Sequence, residues 1–548
     1  NSGEVVRPNQ SRQIQPNSDG PSTMPAITSP ITGGCPSRAR IAASSRPVRI
    51  TAARANSNRG RGFTGLATDA TVTGVALGGN AMLRGASMSD PRYAQWKNAG
   101  YTDEMIILEL ARDSVKSGAI VPTALFHYIH SGLLEQTKAA KSWDPAIKRP
   151  IAEYVKEALD KGWQTVTPKP GKDPRIIFNM GGSFLRRSRS TDTIVKTLLP
   201  KLKLLVVIDH RMGGTGLYAD YILPAAGWFE KFSLQGMGKI DLPWAFLINK
   251  AVEPRGESKN EWEIGCLLAK KMQERAKARG ILSFTTADGN TVRLDNLYDK
   301  ATVNGLYADD DEEAVTRDYY ANATNIQQMP WEELKEKGTA PGTELGWNSR
   351  SIGNACDIVP GSCAIPLTWH INGKDPYPTQ TRRQQYYIDH ELYLELGHEL
   401  PGQRVDPKAG GDYPIRLAGG HARWSIHASQ ADDAILLRLQ RGGPAVFMNS
   451  GDAKKRGIED GKMVELYNDV SSFRARIVVS PAVKPGMAMI YHSWENFQFP
   501  GFKHFKNVMA SPMNPIELAG GYYHIGATND AFSPGFSDRE TMVDIRNI

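Results

Sequence analysis

His421-Ala-Arg-Trp-Ser-Ile-His427 gathers two imidazoles, a guanidinium, an indole N–H and a hydroxyl directly after a short apolar run. Histidines six positions apart share a face of an extended chain, so His421 and His427 read as a pair. A metal needs a third ligand, and none is obvious nearby in sequence; isolated histidines are usually satisfied structural groups. With Arg423, Trp424 and Ser425 the cluster reads instead as a cradle for a large polar, anionic ligand, since guanidinium donors match acidic oxygens. A second group of like composition, His492-Ser-Trp494-Glu495, ends another apolar run. Two such groups at strand ends weaken the reading of each as merely structural.

Three other patterns carry less. Gly214-Thr-Gly216-Leu-Tyr-Ala219 has the spacing of a dinucleotide fingerprint, but Asp209-His-Arg-Met212 separates it from the preceding strand. A working fingerprint turns directly off the strand, so that the helix N-terminus meets the pyrophosphate. Gly457-Ile-Glu-Asp-Gly461-Lys462 lacks the P-loop spacing and has Met463 where Ser or Thr is required, so it reads as a turn between strands. His210, Asp209 and Asp220 suggest a triad, yet no serine sits in a Gly-x-Ser-x-Gly elbow.

The elements that must position these groups change period along the chain. Apolar spacing predicts amphipathic helices over Tyr101–Gly118, Ala124–Ala139 and Ile147–Gly162. Arg175–Met180 and Leu202–Ile208 are short apolar runs with a helical stretch, Thr191–Leu199, between them. That is a βαβ unit, whose continuous apolar strands suit a parallel sheet buried on both faces. Lys259–Arg279 predicts a long helix closed by Gly280. Residues 285–380 read as loops with short elements. Strands are then expected at Ile415–Leu417, Ala445–Asn449, Met463–Asn468, Phe473–Val479 and Ala488–His492, a spacing that suits a compact β-barrel.

The 548 residues suggest three or four domains, and 40% hydrophobic with 23% charged residues marks a globular chain. No run approaches the ~18 apolar residues that a membrane-spanning helix needs. The net charge of +8 is uneven. Residues 1–62 hold nine Arg against Glu4 and Asp19, a net +7, which leaves +1 for the remainder. This Ser, Pro and Arg-rich segment lacks the apolar content to fold and reads as a disordered tail. Cys35, Cys266, Cys356 and Cys363 are too scattered for a disulfide framework or a metal ribbon.

Leu205-Val-Val-Ile-Asp-His-Arg-Met212, Ala219-Asp-Tyr-Ile-Leu-Pro224 and Trp228-Phe-Glu230 resemble the cofactor core of the molybdopterin oxidoreductase (dimethyl sulfoxide reductase) family. Ala251-Val-Glu-Pro254 and Glu261-Trp-Glu-Ile264 follow in order. His421–His427, Asn449-x-x-Asp452-Ala453, Arg456-Gly-Ile458, Pro485-Gly486, His492–Glu495 and Gly520-Gly-Tyr522 resemble its C-terminal dinucleotide-binding barrel. The ordered set covers roughly 175–548 and is similar to catalytic α subunits of the nitrate reductase, nitrite oxidoreductase, selenate and chlorate reductase and ethylbenzene dehydrogenase branch. The resemblance implies an α/β parallel-sheet cofactor-binding domain followed by a β-barrel of the double-psi type. The expected division is a tail over 1–62, a partial α/β domain over 63–280, a loop-rich connection over 281–404 and the barrel domain over 405–548.

It further implies a molybdenum bis(molybdopterin guanine dinucleotide) cofactor and two-electron oxygen-atom transfer or hydroxylation. An iron–sulfur β subunit is implied as partner, with a haem or membrane-anchor subunit in some arrangements. No nucleic acid partner and no direct membrane span are expected. The implied cofactor contacts are Gly181, Gly182, Ser183, Asp209, Arg211, Thr215, His421, Arg423, Trp424, Ser425, His427, Asn449, Asp452, His492, Trp494, Glu495 and Asn514. Gly181 and Gly182 would let a phosphate approach, Asp209 would accept from guanine or ribose, and the histidines would tune the pterins. No protein ligand to the metal is assigned. The family's iron–sulfur and molybdenum ligands precede the matched segment, so the chain reads as the C-terminal portion of an α subunit whose cluster belongs to the intact subunit. A non-catalytic cofactor-binding or assembly protein is the alternative. Either face of a prokaryotic inner membrane would suit the branch.

Overall fold

The computed structural model describes residues 92–101, 123–136, 138, 143–164, 166–235, 244–285, 291–322, 326–341, 365, 367–374, 383, 386–402, 405, 407–425, 427–429, 431–439, 442–510, 515–519 and 541–548. The helix expected over Tyr101–Gly118 lies outside them beyond Tyr101. So do the tail, Cys35, Cys356, Cys363, Asn514 and Gly520-Gly-Tyr522.

The helix expected over Ala124–Ala139 is two, α1 (Thr123–His130) and α2 (Leu133–Gln136). Gly132 breaks it with φ +79, and a Cβ there would stand 2.7 Å from Thr197 Oγ1. The next helix, α3 (Ile151–Asp160), starts only after Pro150 and buries Ile151, Tyr154, Val155 and Ala158 on one face.

The parallel sheet is β1 (Ile176–Met180), β2 (Leu204–Asp209) and β3 (Tyr221–Pro224), in the order β1-β2-β3. Short helices α4 (Phe184–Arg187) and α5 (Thr191–Thr197) connect the first two strands. Both strand pairs are parallel, with Met180 beside Ile208 and Val206 beside Tyr221. Central β2 is covered on both faces. Ile177, Leu185, Ile194 and Leu198 share one apolar cluster with the α1 and α3 core, while Val206 and Ile208 pack on the other side with Ile264 and Leu268. The latter two belong to α6 (Glu261–Arg279), whose first turn is capped by the Asn260 side chain and which ends at Gly280 with φ +67.

A smaller antiparallel sheet consists of β4 (Ser233–Gln235), β5 (Trp244–Ile248) and β8 (Thr339–Pro341). Between them lie the hairpin β6 (Ser283–Thr285) and β7 (Thr291–Arg293), and helices α7 (Leu297–Ala301), α8 (Glu312–Ala321) and α9 (Trp331–Lys337). Trp262, Cys266, Ala301, Tyr307 and Val315 form one core here, and Ala245, Leu247, Tyr320, Leu334 and Ala340 another. The Cys266 thiol is free and buried, and burial pushes it up to about 12.

The C-terminal strands close a barrel: β9 (Ile415–Gly420), β10 (Ala445–Asn449), β11 (Met463–Tyr467), β12 (Ser472–Ser480), β13 (Met487–Tyr491) and β14 (Thr541–Asn547), in the order β10-β12-β11-β14-β9-β13. Burial alternates along the strands. Val464 and Leu466, Phe473, Ala475 and Ile477, and Ala488 and Ile490 all point into one core. Helix α10 (Ser450–Arg456) follows β10 directly, and Gly457, with φ +62, ends it. The glycine-rich stretch after it is therefore a helix-to-strand turn rather than a link between two strands.

The barrel and the parallel sheet pack together. Ala510, Leu518 and Ala519 join the core of α1, α3 and α5, and the Gln164 amide donates to the Leu518 carbonyl at 3.3 Å. Among the described residues no helix is long and apolar enough to cross a membrane.

Candidate functional site at the sheet edge and barrel rim

Parallel strands end with their carboxyl ends aligned, and the loops leaving that edge are where an α/β sheet presents ligand-binding groups. Here the loops after β1 and β2 are fastened to each other. Ser183 Oγ lies 2.9 Å from Thr215 Oγ1 and accepts from the Thr215 N–H at 3.2 Å, while Thr215 Oγ1 accepts from the Leu185 N–H. Both hydroxyls are buried. Gly181 and Gly182 remain at the outer surface of this edge, and a Cβ on Gly182 would meet nothing within 4 Å.

Glu495, fully buried just beyond β13, joins this edge to the barrel. Its Oε1 accepts from Arg186 Nη1 at 2.6 Å and Arg211 Nη2 at 2.8 Å, and its Oε2 accepts from the Gly214 N–H at 2.8 Å. Arg211 reaches onward to Asp432, which follows the 421–427 loop, at 3.0 Å. Gly214 is thus explained by packing. A Cβ would stand 2.6 Å from Asn496 Oδ1 and 2.9 Å from Glu495 Oε2. The first glycine of the fingerprint-like pattern thus meets a carboxylate of the same chain, and a Cβ on Gly216 would stand 3.0 Å from Met212 Sδ. Asp209 lies 3.1 Å from His210 Nδ1. Burial pushes its carboxyl up, but the His210 contact and the neighbouring N–H groups outweigh that and hold it below the usual range. Asp220 accepts from the Leu205 N–H at 2.8 Å, so it pins β2 and completes no triad.

At the barrel rim, β9 and β13 run parallel with Gly420 opposite Tyr491. The strand ends at Gly420, so His421 and His427 do not share a strand face; the chain turns back and brings their rings to 5.2 Å. His492 joins them, 4.2 Å from His421 and 5.1 Å from His427 by ring centroid. The third imidazole that sequence spacing failed to offer comes from the next parallel strand. Carbonyl oxygens only accept, so His492 Nδ1 donates to Gly420 O at 2.7 Å. Its Nε2 then accepts from His427 Nδ1 at 2.8 Å. Burial lowers the His492 pKa, and the other two histidines lower it further. His427 and Ser493 both hold positive φ, +50 and +77, a conformation that costs side-chain-bearing residues about 1–3 kcal/mol and that clusters at functional sites. Arg423 lies over the exposed Trp424 ring at 4.8 Å, and Ser425 is half-buried beside them. Trp494 is buried, and its indole N–H has no partner among the described residues.

Asn449 and Asp452 stand apart. Antiparallel β10 ends where β13 begins, with Met448 opposite Ala488, so these two lie at the far end of the barrel, about 16 Å along β13 from His492. Their side chains are also engaged. Asn449 caps α10 through the Gly451 and Asp452 N–H groups and donates to Val483 O, while Asp452 accepts from the Gly486 N–H at 2.6 Å.

Three groups missed in the sequence belong to the assembled edge: Arg186, His504 and Lys506. His504 is buried, donates from Nε2 to Trp494 O at 2.7 Å and accepts at Nδ1 from the Lys506 N–H. Burial, with the Lys506 and Arg186 charges, lowers it to about 3, so it is a neutral strut. Lys506 Nζ donates to Arg187 O at 2.8 Å. Arg186 follows the Gly-Gly-Ser turn by three residues, a signal that basic residues after a glycine turn could have supplied.

Comparison with known proteins follows this division. Residues 80–271 match the family described as Molybdopterin oxidoreductase, and residues 415–533 match the Molydopterin dinucleotide binding domain. The chain is 34% identical over 414 residues to the respiratory nitrate reductase subunit alpha of Haloferax mediterranei, covering 73% of this chain and 40% of that protein. It is 33% identical over 390 residues to the chlorate reductase subunit alpha of Ideonella dechloratans, 70% and 41%. It is 29% identical over 500 residues to the dimethylsulfide dehydrogenase subunit alpha of Rhodovulum sulfidophilum, 89% and 52%. The chain therefore spans about half the length, or less, of these relatives.

Proposed function

The chain belongs to the molybdopterin oxidoreductase (dimethyl sulfoxide reductase) family, and from that premise we propose that it is the cofactor-holding C-terminal part of a catalytic α subunit. The observation that carries the reading is the joining of the two matched regions, sheet edge and barrel rim, through Glu495, Arg186 and Arg211. In this reading residues 63–280 form the α/β cofactor domain, 281–404 the connection and 405–548 the barrel domain, with 1–62 as a tail.

The residues present suit an anionic dinucleotide. The space beside Gly182 admits a phosphate close to backbone, because no side chain fills it. Arg423, Trp424 and Ser425 supply charge, a stacking face and a hydroxyl at the rim. The indole N–H of Trp494, without a partner among the described residues, is a donor of the kind a cofactor or its surrounding loop would satisfy. Ser183, Thr215 and Glu495 act in this reading by fixing the loops, since their polar atoms are taken up within the chain. Asp209 is held ionised to accept from a guanine edge or ribose, and His421, His427 and His492 face the pterin. Asn449 and Asp452 serve the opposite end of the barrel.

When bound, molybdenum bis(molybdopterin guanine dinucleotide) supplies two-electron oxygen-atom transfer or hydroxylation. The intact enzyme pairs with an iron–sulfur β subunit and, in some arrangements, with a haem or anchor subunit. The full 548-residue chain, produced in a host that makes the cofactor, is expected to carry molybdenum by elemental analysis. A properly folded chain without molybdenum overturns the reading.

A further inference from the structure

The three imidazoles at the barrel rim form a constellation of their own. We propose that, in the chain free of the dinucleotide cofactor, His421, His427 and His492 bind one divalent transition-metal ion of the Zn²⁺, Co²⁺ or Ni²⁺ class through three ring nitrogens.

One nitrogen from each ring lies within 4.8 Å of the others. Tetrahedral zinc with Zn–N bonds of about 2.0–2.1 Å needs nitrogens about 3.3 Å apart. The 2.8 Å His427–His492 contact is shorter than that and the widest separation longer, so modest side-chain rotation closes the set. His421 and His427 are exposed, while His492 is half-buried and fixed; metal binding exchanges the His427 Nδ1–His492 Nε2 hydrogen bond for nitrogen–metal bonds, His427 passing to its other tautomer. The fixing has the form found in metal centres. The Nδ1–H of His492 donates to a backbone carbonyl, which sets the tautomer and leaves the Nε2 lone pair toward the cluster. His492 N–H also donates to Gly420 O at 2.9 Å, so strand pairing holds the third ligand next to the loop that carries the other two.

Strained backbone at His427 and Ser493 is an independent sign that the fold holds these positions against local preference. Three neutral imidazoles with an open fourth position suit a borderline ion that keeps a water, and disfavour Mg²⁺ and Ca²⁺, which require oxygen ligands. The ion would use the rings that the cofactor reading, on which this exclusion rests, turns toward a pterin, so the two occupants exclude one another. The cation assay nevertheless has its own readout, which a missing molybdenum centre does not alter.

The test is titration of the chelator-stripped full chain, prepared without cofactor, with Co²⁺. One equivalent should give the visible d–d absorption of a nitrogen-ligated ion, without a thiolate charge-transfer band, and Zn²⁺ should displace it. His421→Ala and His427→Ala, both at exposed positions, should each weaken Zn²⁺ binding at least tenfold, with His492→Ala doing the same and His398→Ala leaving it unchanged. Absence of the stoichiometric spectrum, a thiolate band, or binding that survives the His421→Ala and His427→Ala changes in a folded chain overturns the proposal.

Discussion

Glu495 shows how little the identity of a residue says about its task. In sequence it ends a His-Ser-Trp-Glu group and reads as a ligand contact; in the structure both its oxygens are spent on Arg186, Arg211 and Gly214. Removing one partner from a buried charged network leaves the others desolvated and unpaired. Glu495→Ala is therefore expected to cost about 3 kcal/mol in urea unfolding, and Glu495→Gln, which keeps acceptor oxygen, less. A loss below about 0.5 kcal/mol for the alanine would contradict the clamp. His127 is a second case. It is buried beside Ser131 Oγ at 2.8 Å, and burial, with His130, lowers it to about 4. Below the ordinary histidine value near 6.5 the unfolded chain takes a proton that the folded chain refuses, so this group removes stability as pH falls from about 6.5 to about 4. Glu312 has the opposite sign. Burial raises it to about 7, so its contribution is lost as pH rises from the ordinary glutamate range through about 7. His127→Gln isolates the first effect: the decline in denaturation midpoint between pH 6.5 and pH 4 should become shallower than in the parent chain.

Elements were legible wherever local period and burial coincide. The β1-α5-β2 unit and the strands β9 to β13 lie within three residues of their expected bounds, and β2 and the barrel strands bury the residues that their sequences mark; β1, read as buried on both faces, leaves Ile176 and Phe178 exposed because it is the edge strand of the sheet. β14 escaped notice. Its seven residues alternate only weakly, and its partners β9 and β11 lie more than 70 residues away, so nothing local announces a strand. The single helix expected over 124–139 failed for a related reason: the close approach of Thr197 at Gly132 is a tertiary fact. The site divides in the same way. The histidine loop and the Gly-Gly turn were visible as motifs, while the third imidazole, the Arg186 contact and the far placement of Asn449 follow from strand register. β14 joins β11 to β9 and buries Val543 and Ile545 in the barrel core. Deleting residues 541–548 should open the barrel, and limited proteolysis should then cut within residues 415–491, where the parent chain resists. Equal resistance would show that closure does not depend on this strand.

At the scale of the whole molecule, the +8 charge loses its first meaning. It lies almost wholly on residues 1–62, and the rest is nearly neutral, with Arg186, Arg211, Arg423 and Lys506 gathered around the sheet edge and barrel rim. The pI near 9.0 therefore says little about partners; Arg186 and Arg211 are paired with Glu495 and Asp432, and it is the exposed Arg423 at the rim that suits a bound anion. The length likewise describes a segment comparable with 40–52% of its relatives rather than the extent of the reaction machinery. The central claim is that this segment holds the dinucleotide cofactor, and the nucleotide itself is its most direct witness. Acid hydrolysis of the purified full chain from a cofactor-producing host should release guanine nucleotide in a fixed ratio of about two per molybdenum. Gly182→Ala, whose Cβ enters the open space of the turn without meeting a neighbour, should release less at unchanged thermal stability. A folded parent chain that releases no guanine nucleotide would contradict the account.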